Sequence, residues 1–403
     1  MTEPFPPDPS LNLQDTEIAF ASRSNPELMK MDWLFSLMNN PGLNKLATNT
    51  LLTFIKWHLP IKAVVKYSIF NHFCGGETLT ECKKTIENLA RFRIGTILDF
   101  SVEGEKNESA FDHVVEETKA TIQIAATDKS VPFAVFKTSG ICEVGLMEKV
   151  QFGQTLNAEE KAAIERGRKR FAAMCAEAGR LGVRLFVDAE ESWIQQTIDT
   201  WTYEEMENWN GQRAIIFNTY QLYRSDMLEN LRQATQMARS KKFVLGAKLV
   251  RGAYMEKEAA FAEKHGFANP IQPSKEATDR DYDAAWNHCL DNLDFIHFCS
   301  GSHNEASNYK MAMSMAARGL KKEDNRVWFA QLFGMSDNIS YGLAEAGFNV
   351  AKYVPYGPVL SVMPYLVRRA SENTSVAGQT SRELNLIKTE RERRRQKPSP
   401  SQI

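Results

Sequence analysis

From residue 92 onward the chain repeats one unit. A short run rich in apolar and β-branched residues is followed by a longer stretch with helical periodicity, and the runs number eight. They are Ile94–Phe100, Phe133–Thr138, Val183–Asp188, Ala214–Thr219, Phe243–Val250, Phe295–Cys299, Val327–Leu332 and Val350–Val354. The helical stretches include Glu108–Ala126, Ala158–Arg180, Ser192–Asn208, Asp226–Arg239, Glu276–Leu293 and Glu305–Arg318. Asn157 with Glu160 makes a capping box ahead of the second. Strand and helix in strict alternation predict an α/β chain closed as a parallel (βα)8 TIM-type barrel. A doubly wound open sheet is the alternative. When it binds a dinucleotide it usually carries GxGxxG after its first strand. The chain has neither that sequence nor a Walker A loop.

The flanks read differently. Residues 1–25 are rich in Pro, Ser and Asp and look loose. Residues 26–91 form a helical arm, broken at Asn39-Asn40-Pro41-Gly42 and at Gly75-Gly76. The barrel occupies 92–375 and a basic tail 376–403. Within the arm, 51–70 is the nearest approach to a membrane span, but Lys56, His58, Pro60, Lys62 and Lys66 interrupt it. It falls short of the ~20 apolar residues a span needs. It reads as an arm packed on the main domain, with peripheral contact at a membrane surface as the alternative. In the tail, Arg391, Arg393, Arg394, Arg395 and Lys397 precede Pro-Ser-Pro-Ser. That run reads as a solvated helix end or as a contact for an anionic membrane or partner.

Charge and cysteine usage narrow the class. A formal net charge of -1 offers no global basic field to nucleic acid. The six cysteines make no CxxC pair and no zinc-ligand spacing, so free thiols in a reducing compartment are expected. Residues 1–20 are acidic, with neither a secretory pattern nor an Arg-rich transit pattern. A cytoplasmic placement, peripheral on the inner face of the membrane, is the expectation.

In such barrels functional groups cluster at the carboxyl ends of the strands. The run ends supply Asp99 and Glu103, Lys137, Asp188-Ala189-Glu190-Glu191, Asn218 and Gln221, then Lys248, Arg251 and Tyr254. The last three supply Ser302-His303-Asn304, Gln331 and Tyr353. Any one of these fits a structural salt bridge as well as it fits catalysis. One at nearly every strand suggests a polar mouth around a ligand. After the eighth run comes Tyr365-Leu-Val-Arg-Arg-Ala-Ser-Glu-Asn373. Spacings of three, four and seven place Tyr365, Arg368, Arg369 and Glu372 on one helical face. Two adjacent arginines suit a carboxylate, and Glu372 can hold Arg368 in place. No second His or Cys stands at metal-ligand spacing from His303, so no metal site is expected.

Lys248-Leu-Val-Arg-Gly-Ala-Tyr254 and Tyr365–Asn373 resemble the two signature motifs of the proline dehydrogenase family. Phe136-Lys137, Val187-Asp-Ala-Glu-Glu191 and Ser302-His303-Asn304 match further family blocks in the right order. The resemblance covers roughly residues 92–375, and the chain looks most like the stand-alone, eukaryote-like branch. It implies a distorted barrel holding FAD non-covalently. It also implies oxidation of L-proline to 1-pyrroline-5-carboxylate, with electrons passed to a membrane quinone. A pyrroline-5-carboxylate/glutamate semialdehyde dehydrogenase would then consume the product.

By position, the resemblance makes Asp188 and Lys248 active-site residues. Lys137, Arg368 and Arg369 would bind the substrate carboxylate, and Tyr254, Leu332, Tyr353 and Tyr365 would wall the ring. Ala189, Asn218, Lys248, Arg251, Gly252, Ala253, Ser302, His303 and Glu372 would contact the cofactor. Many bacterial members have Gln for Asn218 and Arg for Lys248, which puts those two assignments in question. A hydroxyproline dehydrogenase on the same scaffold and a non-catalytic ligand-binding barrel are the rival readings. Tyr353 resembles the residue of the proline-specific enzymes.

Overall fold

The computed structural model describes residues 11–40, 42, 62–101, 107–375 and 379–396, without the side chains of 64, 370–375, 379 and 380. Eight parallel strands close into a barrel in chain order. They are β1 (Ile94–Phe100), β2 (Phe133–Lys137), β3 (Arg184–Asp188), β4 (Ile216–Gln221), β5 (Leu245–Val250), β6 (Ile296–Gly301), β7 (Val327–Leu332) and β8 (Val350–Tyr356). The seam is the longest ladder, with β8 pairing β1 from Ile94↔Val350 to Phe100↔Tyr356. The fourth, sixth and eighth strands run on past the ends read from sequence, to Gln221, Gly301 and Tyr356. Polar groups there mask strands that an apolar pattern ends early.

Side chains alternate across each strand. Ile97, Val135, Phe186, Phe217, Cys299, Ala330, Ala351 and Tyr353 point inward and pack together. Phe133 stacks on Phe186 at 4.3 Å, with Phe217 and Trp328 edge-on to Phe133. These rings fill the barrel's lower end. The alternate positions, such as Leu98, Ala134, Leu185 and Leu249, pack outward in the main core with residues of the surrounding helices. The capping box at Asn157 and Glu160 is formed. Three helices escaped the sequence pattern: Val144–Gln151, Met255–His265 and Asp337–Glu345. They are short and lie beside the mouth, where polar and glycine residues blur a helical period. All six cysteines are buried and free.

The two ends of the chain depart from expectation. Leu11 and Leu13 are buried, and α1 (Thr16–Ala19) and α2 (Asn25–Met38) follow, so residues 11–25 are packed and not loose. The tail is a helix, Gln379–Gln396, seated on α2. Leu384 and Ile387 share a core with Phe20, Leu28 and Phe35. Arg391 pairs with Asp32. Arg393 reaches Glu17 at 2.8 Å and Glu390 at 2.7 Å, and Arg394 reaches Glu390 at 2.7 Å. Three of the arginines read as solvated or lipid-facing are therefore tied inside the chain. Two of their acidic partners, Glu17 and Asp32, stand at its opposite end, where spacing cannot reveal them. Lys397, and Lys56, His58 and Pro60 of the arm, lie outside the described residues. Val65, Phe70 and Phe73 of the arm pack against Val362, Tyr365 and Leu366. Among the described residues no helix is long and apolar enough to cross a membrane.

Candidate active site

A cavity of about 640 Å³ opens at the carboxyl ends of the strands and takes residues from all eight. At one end is a compact charge cluster. Lys248 Nζ lies 2.5 Å from Asp188 Oδ1, and the Tyr353 hydroxyl donates to Asp188 Oδ2 at 2.7 Å. Lys137 donates to both carboxylate oxygens of Asp99 at 3.0 Å and to the Tyr353 hydroxyl at 3.2 Å. Two acids and two lysines from β1, β2, β3 and β5 thus interleave around one phenol from β8. The same inward parity that seals the lower end brings them together. Burial pushes the Asp188 carboxyl up, but the ammonium groups of Lys248 and Lys137 and its two hydrogen bonds outweigh it. Its pKa ends below the ordinary carboxylate value.

The helix Met363–Ser375 covers this end. Tyr365, Arg368 and Arg369 all face the cavity, and the Arg369 guanidinium sits 5.2 Å from the Tyr365 ring centre. Glu372 lies in the same helix, but its side chain is outside the described residues, as is Glu103.

The cavity continues along β5 and β6. Arg251 is fixed on four sides. Its ring partner is Tyr282 at 4.1 Å, and it bonds Asp279 at 2.8 Å, Ser302 at 2.6 Å and Ser307 at 2.9 Å. Gly252 has φ +128°, and a Cβ there would meet the Tyr223 ring at 2.3 Å. Glycine is therefore required by the Tyr223 ring behind it, and the backbone of Gly252 faces the cavity beside Ala253. Gly252→Ala is expected to cost about 1–3 kcal/mol in backbone strain alone. Thermal unfolding checks this; an unchanged Tm would show that the turn tolerates a side chain. His303 is half-buried, and its loss of water, helped by the nearby cations Lys352, Arg369 and Arg251, pushes its pKa down to about 3. The ring is neutral. Leu332 N–H points at Nε2 at 3.4 Å, so Nδ1 carries the proton and donates to Ser336 Oγ at 2.9 Å.

Of the residues singled out from sequence, Lys137, Asp188, Ala189, Lys248, Arg251, Gly252, Ala253, Tyr254, Ser302, His303, Leu332, Tyr353, Tyr365, Arg368 and Arg369 line this one cavity. Asn218 does not. It points outward from β4, donating to Asp199 at 2.8 Å and accepting from Thr219 N–H at 3.0 Å. Strand parity decides the matter: Thr219 and Gln221 face in, so Asn218 faces the helix Ser192–Trp209. In this structure Asn218, expected at the cofactor, lies outside the cavity and ties strand to helix. Sequence reading missed Lys275, Glu305 and Arg382, which also line the cavity. It missed Lys352 as well, fully buried on β8 with Asp337 at 2.8 Å. A lysine inside an apolar strand run was the available signal.

A parallel barrel with its charged groups gathered at the strand carboxyl ends is the architecture of a TIM-barrel enzyme. Residues 82–382 match the family model described as proline dehydrogenase. The chain is 36% identical over 329 residues to the carbapenem antibiotics biosynthesis protein CarD of Pectobacterium carotovorum subsp. carotovorum, covering 81% of this chain and 85% of that protein. It is 41% identical over 232 residues to human mitochondrial proline dehydrogenase 1, covering 57% of this chain and 39% of that protein. The crystal structure of proline utilization A from Bdellovibrio bacteriovorus superposes with a TM-score of 0.74 at 17% identity, over 93% of this chain and 44% of that one. That likeness speaks for the fold. The chain belongs to the proline dehydrogenase family. It spans less than half the length of the human protein and of the bacterial structure.

Proposed function

We propose that the protein is an FAD-dependent proline dehydrogenase. It oxidises L-proline to 1-pyrroline-5-carboxylate, the first step of proline catabolism, and passes the electrons to a membrane quinone. One observation carries the reading. The cations Lys137, Arg368 and Arg369 and the Asp188–Tyr353–Lys248 cluster share a single cavity with the bare wall at Gly252 and the Ser302–His303 edge.

The donor set fits a flat, polar cofactor beside a small anionic substrate. Arg251 is preorganised, His303 is neutral, and Gly252, whose side-chain position is taken by the Tyr223 ring, turns bare backbone to the cavity. When bound, FAD accepts the hydride that leaves the carbon next to the substrate nitrogen. The chain does the rest. Lys137, Arg368 and Arg369 hold the carboxylate and fix the approach. Tyr254, Leu332, Tyr353 and Tyr365 wall the ring. Lys248 and Arg251 stabilise negative charge developing on the cofactor. Asp188, held as a carboxylate with a lowered pKa, orients Lys248 and is too weak a base to take the substrate proton. The amine must therefore arrive neutral, and kcat/KM should rise with pH.

The test is expression with riboflavin supplied, purification, and anaerobic addition of L-proline. A yellow protein that bleaches, and that reduces quinone analogues and not NAD, is the expected result. A colourless protein, or a yellow one indifferent to proline, overturns the reading and favours a non-catalytic barrel.

A further inference from the structure

The wall of the site that carries Leu332 is held from behind by the two ends of the chain. After β7 the backbone turns through Phe333–Ser336 into the helix Asp337–Glu345. Ser336 sits there at φ +50°, a left-handed conformation that a serine keeps only when its surroundings impose it.

The imposing group is Glu383. It reaches in from the C-terminal helix, is 5% exposed, and accepts the Ser336 backbone N–H. Ser336 Oγ in turn receives the Nδ1 proton of His303 at 2.9 Å, and His303 Nε2 faces the Leu332 N–H at 3.4 Å. A continuous chain thus runs from Glu383 to two residues that line the cavity. The neighbouring Asp337 is clamped by Lys352 at 2.8 Å and by Arg23 at 3.1 Å.

The terminal helix does not require Glu383 for its own anchoring. Leu384, Ile387, Arg391, Arg393 and Arg394 already tie it to the N-terminal helices. Burying a carboxyl costs free energy that packing alone does not explain. Burial and the nearby Asp337 carboxylate push this one up to about 7.

We propose that Glu383 is a positioning residue of the active site, acting through Ser336 to set the His303 ring and Leu332. The proposal rests on the reading of the cavity as a flavin and proline site.

The variants are Glu383→Gln, Glu383→Ala and Ser336→Ala in the full chain. Hydrogen exchange of the segment 327–337, which needs no flavin, comes first. Glu383→Ala should speed exchange there, and Glu383→Gln, which keeps an acceptor oxygen, should not. In protein loaded with FAD, Glu383→Ala should raise the FAD Kd by about tenfold or more, shift the flavin absorption band and raise the KM for L-proline. Ser336→Ala, which removes the hydroxyl next to His303 and Glu383 but keeps the backbone N–H that Glu383 accepts, should reproduce the band shift. Glu383→Gln should stay within about threefold of the parent Kd. Unchanged exchange in Glu383→Ala overturns the proposal, as does a Glu383→Gln as impaired as Glu383→Ala. A parent that binds no FAD defeats the flavin reading, while the exchange experiment still decides this one.

Discussion

Arg369→Met is expected to lower kcat/KM for L-proline by about 30- to 3,000-fold, with Arg368→Met toward the lower end of that range. Removing one partner of a desolvated charge pair costs ~2–5 kcal/mol. At ~1.4 kcal/mol per tenfold, that spans the range given. Arg369 is 8% exposed and lies along the Tyr365 ring, whereas Arg368 is half-buried, so water screens Arg368 more. Methionine keeps much of the arginine stem's volume, so the loss should appear in catalysis before stability. A carboxylate clamp of this kind would act in both ground and transition states, so much of the effect should fall on KM. The control matters. Arg391 looks from sequence like a harmless surface arginine, yet it pairs with Asp32 and anchors the terminal helix. Lys264→Met, exposed on the helix Met255–His265, is the sounder comparison. Steady-state kinetics of the three variants decide the point. If Arg369→Met behaves like Lys264→Met, the carboxylate clamp lies elsewhere.

The barrel was legible because each strand is written locally. An apolar run between helical stretches needs no distant partner to be recognised, and all eight runs became strands. The polar mouth was legible for the same reason, since Lys137, Asp188, Lys248 and Tyr353 stand at or near the ends of four apolar runs. Two kinds of information were not local. One was parity: Asn218 stands near a strand end as Gln221 does, but three residues apart they face opposite sides. The other was long-range charge pairing. Arg23, Asp337, Lys352 and Glu383 come from four separate stretches, and only the folded chain gathers them behind the site. The C-terminal helix suffered most. Its arginines read as solvated because two of the acids they meet, Glu17 and Asp32, lie near the start of the chain.

Tyr353 is expected to make the protein strongly prefer L-proline to trans-4-hydroxy-L-proline, and two substitutions separate the ways it does so. The ring is 8% exposed, with the Lys248 ammonium 4.8 Å from its centre, so it is a fixed wall of the cavity. Its hydroxyl is already committed, donating to Asp188 at 2.7 Å and accepting from Lys137 at 3.2 Å. A substrate hydroxyl pressed against this wall would find neither space nor a partner. Excluding a larger substrate with a wall is also more effective than rejecting a smaller one through lost contacts. Tyr353→Phe keeps the wall and removes the bridge. It leaves a buried carboxylate oxygen of Asp188 short of a donor, at ~1–3 kcal/mol, or about 5- to 150-fold in kcat/KM. The preference for proline should survive that loss. Tyr353→Ser removes both wall and bridge. Proline efficiency should fall further through lost packing, while the space admits the extra hydroxyl and the gap between the substrates narrows. The measurement is kcat/KM for both substrates in parent, Tyr353→Phe and Tyr353→Ser. If Tyr353→Phe loses the preference as completely as Tyr353→Ser, the phenol oxygen and not the ring is the discriminator. A parent that oxidises hydroxyproline as well as proline would instead make this the active site of a hydroxyproline dehydrogenase.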